Sequence, residues 1–110
     1  MSYEIRIVNG AAVVSLTGDV DLQTSPVVRQ KLLESLEEHR RVVVDLSAVN
    51  YIDSSGVASL VEAFQVSRKK GATFSLASVS SAAMRVLSLA RLDKVFTIHP
   101  SVEAALATTG

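Results

Sequence analysis

The sequence has no cysteine and no tryptophan, only 2 Pro and 5 Gly among 110 residues, and no surplus of either charge, with 11 Lys+Arg against 11 Asp+Glu. Each lack excludes something. Without Cys there is no disulfide scaffold, no thiolate nucleophile, no iron–sulfur cluster and no cysteine-rich zinc site, and the composition fits a reducing cytoplasm, the expected location. A balanced charge with 5% aromatic residues argues against direct nucleic-acid binding, which draws on a cationic surface. No apolar run approaches the ~20 residues of a bilayer span, and Met1-Ser2-Tyr3-Glu4 lacks the order of a signal peptide, so no membrane insertion is expected. Neither G-x-x-x-x-G-K-[ST] nor G-x-G-x-x-G occurs, which removes the commonest phosphate loops, and no cofactor is expected. What is present, 48% hydrophobic and 20% charged residues, suffices for a single domain over 1–110 with its own core.

Strand and helix signals alternate along the chain without linker or repeat. Glu4–Val8 and Ala11–Thr17 read as strands joined at the Asn9-Gly10 turn. After Gly18-Asp19-Val20-Asp21, either Thr24 or Ser25 can cap a helix with Pro26 in its first turn and Val28, Leu32 and Leu36 on one face, ending near His39. Val42–Leu46 reads as a buried strand, and Ser47–Gly56 as a loop with turn chemistry. From Ser55, the spacing of Val57, Leu60, Val61 and Phe64 predicts a helix that ends in Arg68-Lys69-Lys70 and a Gly71 cap. Ala72–Ala77 is a strand. Ser80 or Ser81 opens a helix through Arg91 with Ala83, Leu87 and Ala90 inward, Val95–Ile98 is a strand, and Pro100 or Ser101 opens a last helix to about Ala107. The order β-β-α-β-α-β-α-β-α implies an α/β fold, a mixed, largely parallel sheet with helices packed on it.

The segment Val42-Val43-Val44-Asp45-Leu46-Ser47-Ala48-Val49-Asn50-Tyr51-Ile52-Asp53-Ser54-Ser55-Gly56-Val57 carries the best functional signal. It delivers Asp53-Ser54-Ser55-Gly56 to a helix N-terminus, where free N–H groups and the positive dipole end favour an anion. A phosphoserine there would add about −1.5 to −2 charges without unfolding the domain. Asp and Ser before a helix are also ordinary caps worth ~1 kcal/mol each, and spacing alone favours that structural role. The small residues Ala58 and Ser59 are expected partly outward on the helix, leaving room for a partner.

Nearly the whole chain resembles the STAS domain, specifically the bacterial anti-sigma-factor antagonists. The resemblance runs through Leu16-Thr17-Gly18-Asp19-Val20-Asp21, Val44-Asp45-Leu46-Ser47, Ile52-Asp53-Ser54-Ser55-Gly56-Val57, Gly71-Ala72, Ala90-Arg91-Leu92-Asp93-Lys94-Val95-Phe96 and Ser101-Val102-Glu103-Ala104-Ala105-Leu106. It implies a STAS fold and a protein that acts by binding. The unphosphorylated form would hold an anti-sigma factor that is also a serine kinase of histidine-kinase-like ATPase fold, releasing the sigma factor. Carried over residue by residue, Ser54 is the phosphoacceptor, and phosphorylation ends the partnership until a serine phosphatase resets it. Asp21, Asp53, Ser55, Gly56, Ala58 and Ser59 join Ser54 in the implied partner surface. For Asp21, a plain turn or capping role is equally open, and Asp19 is the weaker candidate. The family commonly has Gly and a small or aliphatic residue where this chain has Ala58 and Ser59. The alternative within the resemblance is a STAS subunit that docks on the ATPase of a lipid-transport ABC complex, in which a threonine commonly stands at the serine position.

No catalytic residue is expected. A serine hydrolase needs a base beside its nucleophile; His39 is expected at the pole opposite Ser54, and the nucleophile elbow requires Gly where this chain has Ile52. Two isolated histidines without ligand-spaced carboxylates offer no metal site.

Overall fold

In a computed structural model, residues 1–108 are described. A five-stranded sheet in the order β1-β2-β3-β4-β5 is formed by β1 (Ser2–Val8), β2 (Ala11–Val20), β3 (Arg41–Ile52), β4 (Thr73–Ala77) and β5 (Thr97–His99). The first pair is antiparallel and the rest are parallel. Asn9 and Gly10 both take positive φ, 52° and 82°, which gives the hairpin the twist its strands need. The crossovers are α1 (Ser25–Glu38), α2 (Ser54–Lys70) and α3 (Ser81–Leu89), with α4 (Val102–Ala107) at the end. Among the described residues, no helix is long and apolar enough to cross a membrane. The expected fold class and element order are therefore observed.

The sheet has unequal faces. On one, Val14, Leu16, Val44 and Leu76 meet Val28 and Leu32 of α1, Leu60 of α2 and Leu87 of α3 in the main core. On the other, Val13, Val43 and Ala77 meet Ala105 of α4 in a smaller cluster, with Val8, Val102 and Leu106 packed against it. The α2 helix closes as its sequence dictates, with basic residues in its last turn and the Gly71 amide donating to the carbonyls of Ser67 and Arg68.

Several boundaries differ from expectation. The segment Ser47–Ile52 is strand, not loop. From Leu46 onward the buried residues of β3, Leu46, Val49 and Ile52, fall three apart because the β2/β3 register shifts twice, so a period-two search loses the strand. Similarly, β2 runs on past Thr17 to Val20, crossing Gly18 at φ 94°, a conformation that favours glycine. Helix α3 stops at Leu89, and Ala90 is exposed rather than inward. A single 3-10 turn over Leu92–Lys94 displaces the start of β5 to Thr97.

Candidate functional site

Strand β4 pairs with β3 only as far as Asp45, so beyond that point β3 runs alongside β2 alone as a two-stranded ribbon. Ser80, the N-cap of α3, steadies the ribbon from the side: its amide donates to the Leu46 carbonyl (3.3 Å) and its hydroxyl to that of Val49 (2.7 Å). The ribbon ends with Val20 opposite Ile52, and the Asp53 amide donates to the Val20 carbonyl (3.1 Å). Both candidate turns, the one holding Asp21 and the one holding Ser54, therefore leave the same tip. Gly56 locks them together. A Cβ there would stand 2.7 Å from Ile52 Cγ1, 2.8 Å from Val20 Cγ1 and 3.0 Å from the Val20 carbonyl oxygen.

Asp53 is the N-cap of α2, and its Oδ1 accepts from the amides of Ser55 (2.9 Å) and Gly56 (3.1 Å). The capping role is thus filled by Asp53. Ser54, the next residue, is exposed, and its hydroxyl makes no hydrogen bond among the described residues. Ser55 is half-buried and Ala58 exposed. Two expected partner residues lie elsewhere: Gly56 and Ser59 are buried. Ser59 faces α1, not outward, and its hydroxyl donates to the carbonyls of Ser25 and Ser55, each at 3.2 Å. Small residues at this helix–helix contact let the backbones approach. Gly56 and Ser59 support the surface from beneath.

At the other turn, Asp21 Oδ1 accepts from the amides of Gln23 (3.0 Å) and Thr24 (3.1 Å) and from the Thr24 hydroxyl (3.1 Å). These bonds, the Thr24 amide foremost, hold the Asp21 carboxyl below its ordinary value. Thr24 is the N-cap of α1 but makes no side-chain cap bond to the helix; its hydroxyl accepts from the Asp21 amide (2.9 Å) and donates to the Asp19 carbonyl (3.1 Å). Asp21 therefore performs the turn role. Asp19 is exposed on the ribbon beside Tyr51.

Beside Ser54 lies a groove of about 700 Å³, walled by Val57, Ala58, Val61 and Gln65 of α2 and by Val86 and Ala90 at the end of α3. Its lining is chiefly apolar, with Glu62 on the rim. Glu62 is tied to α1 by Arg29, whose Nε lies 2.9 Å from both carboxylate oxygens. That bond lowers the Glu62 pKa and raises that of Arg29. The sequence reading missed Val61, Gln65, Val86 and Ala90 as a surface. The outward repeat of Ala58, Val61 and Gln65 on α2 was the available signal; the α3 wall had none.

His39 caps the far end of α1. His99 pairs with Ala77, which is level with Asp45 rather than with the ribbon tip. Neither histidine is placed at the ribbon tip that carries Ser54.

A family profile described as "STAS domain" matches residues 2–105. The anti-sigma-F factor antagonist RsfB of Mycobacterium tuberculosis is 32% identical over 101 residues, 89% of this chain and 80% of that protein. The crystal structure of an anti-sigma factor antagonist from Mycobacterium paratuberculosis is 29% identical, with a TM-score of 0.84 and coverage of 96% of this chain and 90% of that one. The Bacillus cell fate determinant SpoIIAA in its phosphorylated form shares the fold at 16% identity, with a TM-score of 0.75 and 96% of each chain covered.

Proposed function

Because the chain belongs to the STAS domain family, we propose that it is an anti-sigma factor antagonist whose binding is switched by phosphorylation of Ser54. The observation that carries this reading is the division of labour at the α2 N-terminus. Asp53 occupies the helix amides, while Ser54 stands exposed at the mouth of an apolar groove. A phosphate on Ser54 leaves the cap intact and changes only the surface presented to a partner. A solved phosphorylated form of SpoIIAA supports the view that this fold tolerates such a group.

In this reading the partner is an anti-sigma factor with serine kinase activity and a histidine-kinase-like ATPase fold, which works on the chain in the cytoplasm. It covers Ser54, Ser55, Ala58 and the groove, and reaches Asp53 and Asp21. Phosphorylation brings about −1.5 to −2 charges to a tip that already carries Asp19, Asp21 and Asp53. Because the chain has no formal net charge, the phosphate supplies most of the net charge of the modified protein and adds it to a tip that is already acidic. Repulsion at such a surface costs on the order of 1–4 kcal/mol, a ten- to thousandfold loss of affinity. A serine phosphatase restores the binding form.

The test mixes the protein with its cognate kinase and ATP. Wild type gains one phosphate and releases the kinase, Ser54→Ala gains none and stays bound, and Ser54→Asp binds ten- to a thousandfold more weakly. Phosphate on the Ser54→Ala variant, or full-strength binding by Ser54→Asp, would overturn the switch.

A further inference from the structure

The free edge of β1 is distinct from the ribbon tip and has features of its own. β1 is an outermost strand, seven residues long and paired to β2 without a register shift. Edge strands in soluble proteins are commonly blunted by proline, lysine or a bulge, and Ser2-Tyr3-Glu4-Ile5-Arg6-Ile7-Val8 has none of these. Tyr3, Ile5 and Ile7 remain 42%, 38% and 56% exposed. They stand opposite Leu16, Val14 and Ala12, so they lie on the face that carries the main core. From the helix layer, the Lys31 ammonium of α1 reaches over one end of that stripe, 5.7 Å from the Tyr3 ring centre. The opposite face of β1 shows Glu4 and Arg6, with side chains 71% and 51% exposed and 3.7 Å apart.

Charge on an edge strand ordinarily deters pairing, but here the order of the charges makes the strand complementary to itself. If two copies of β1 run antiparallel about a two-fold axis at Ile5, Glu4 of each faces Arg6 of the other. On the opposite face Tyr3 meets Ile7 and Ile5 meets Ile5. Two opposite-charge pairs and three apolar pairs form together, each of a kind that stabilises neighbouring strands. A shift of one residue in either chain destroys the match, because side chains alternate between faces. We infer that a second copy of this chain is the partner of β1, joined edge to edge into one continuous sheet of two protomers, with the paired stripes enclosed between the two α1 helices. The isologous contact closes at the dimer and leaves the short β5 strands as outer edges.

The sequence order of the charges provides the test. Sedimentation velocity of the full chain from about 1 µM to about 1 mM should show a monomer–dimer equilibrium for wild type, as expected of a contact at the small end of stable interfaces. Glu4→Arg and Arg6→Glu each place like charges opposite one another twice, and each alone should weaken self-association at least about tenfold. Mixed in equal amounts, the two variants should associate with each other, since the two arginines of one strand then face the two glutamates of the other across the axis; this also shows that both remain folded. Amide exchange of residues 2–8 should slow as concentration rises. A wild type that is still monomeric at the highest concentration overturns the proposal. So does a dimer that survives in both single variants, or a pair of variants that stay apart on mixing.

Discussion

The turns that lead into α1 and α2 are built on one plan and present different residues. In Asp21-Leu22-Gln23-Thr24 and in Asp53-Ser54-Ser55-Gly56, an aspartate Oδ1 accepts from the amides two and three residues ahead. Both leave the tip of the same β2/β3 ribbon. In each, the residue after the aspartate is left facing solvent: Leu22, 73% exposed, in one and Ser54 in the other. The capping role of Asp53 and the proposed signalling role of Ser54 thus fall on adjacent residues and do not compete. What sets the α2 turn apart is a hydroxyl in the open position, a helix that begins at that residue, and an apolar groove at its side. The cap is generic, and the residue beside it is where function can differ.

The strongest way to break the comparison is to push the two turns apart. Gly56→Ala sets a methyl against Ile52 and Val20 at distances no real Cβ tolerates. The gain in helix propensity, ~0.5–1 kcal/mol, recovers only part of that strain, so the net loss should be about 1–2 kcal/mol in denaturant unfolding. Leu22→Ala, at the open position of the other turn, should stay within about 0.5 kcal/mol. A neutral Gly56→Ala would mean that the ribbon tip yields and the turns are not interlocked.

Next in size is the cap. Asp53→Ala leaves the Ser55 and Gly56 amides without their side-chain acceptor and should cost about 0.5–2 kcal/mol of stability. It should also loosen the first turn that presents Ser54, slowing kinase transfer to Ser54 by more than its loss of charge explains. Asp53→Asn, which keeps an acceptor oxygen, separates the two effects. If Asn and Ala variants are phosphorylated equally slowly, charge and not geometry is what the kinase reads.

Helix α2 was legible because every local signal agreed: an apolar period from Val57 to Phe64, basic residues in the last turn and Gly71 after it. The Asn9-Gly10 hairpin was legible for the same reason. The ribbon was not, since Ser47 and Asn50 mimic turn chemistry and the bulges move Leu46, Val49 and Ile52 off a two-residue period. Ser59 misled in another way. Its small side chain suggested an open surface, whereas small residues equally mark a place where two helices close up, and only its contact with the Ser25 carbonyl distinguishes them. The candidate Ser54 came from resemblance, whereas of the groove beside it only the α2 wall left a signal, in the repeat of Ala58, Val61 and Gln65, because the other wall is supplied by α3.

The smallest expected effect, and the finest probe of the matched turns, is acid titration of the α1 turn. The bonds to Asp21 Oδ1 favour the ionised carboxyl, so its value in the folded chain lies below that in the unfolded chain. For a lowered value, the stabilising contribution is complete above the unfolded pKa, about 4, and disappears as pH falls through the lowered one. Glu62, lowered by Arg29, adds a loss of the same sign, so the experiment must isolate Asp21. Thermal midpoints of wild type and Asp21→Asn, compared from about pH 7 to about pH 3, do so, since Asn keeps an oxygen for the turn and has no charge to titrate. The advantage of wild type should be constant down to about pH 5 and then shrink with acid. An advantage that persists unchanged at the acid end of the series would mean that the carboxylate is not what holds the α1 turn, and the two turns would share a shape without sharing a cause.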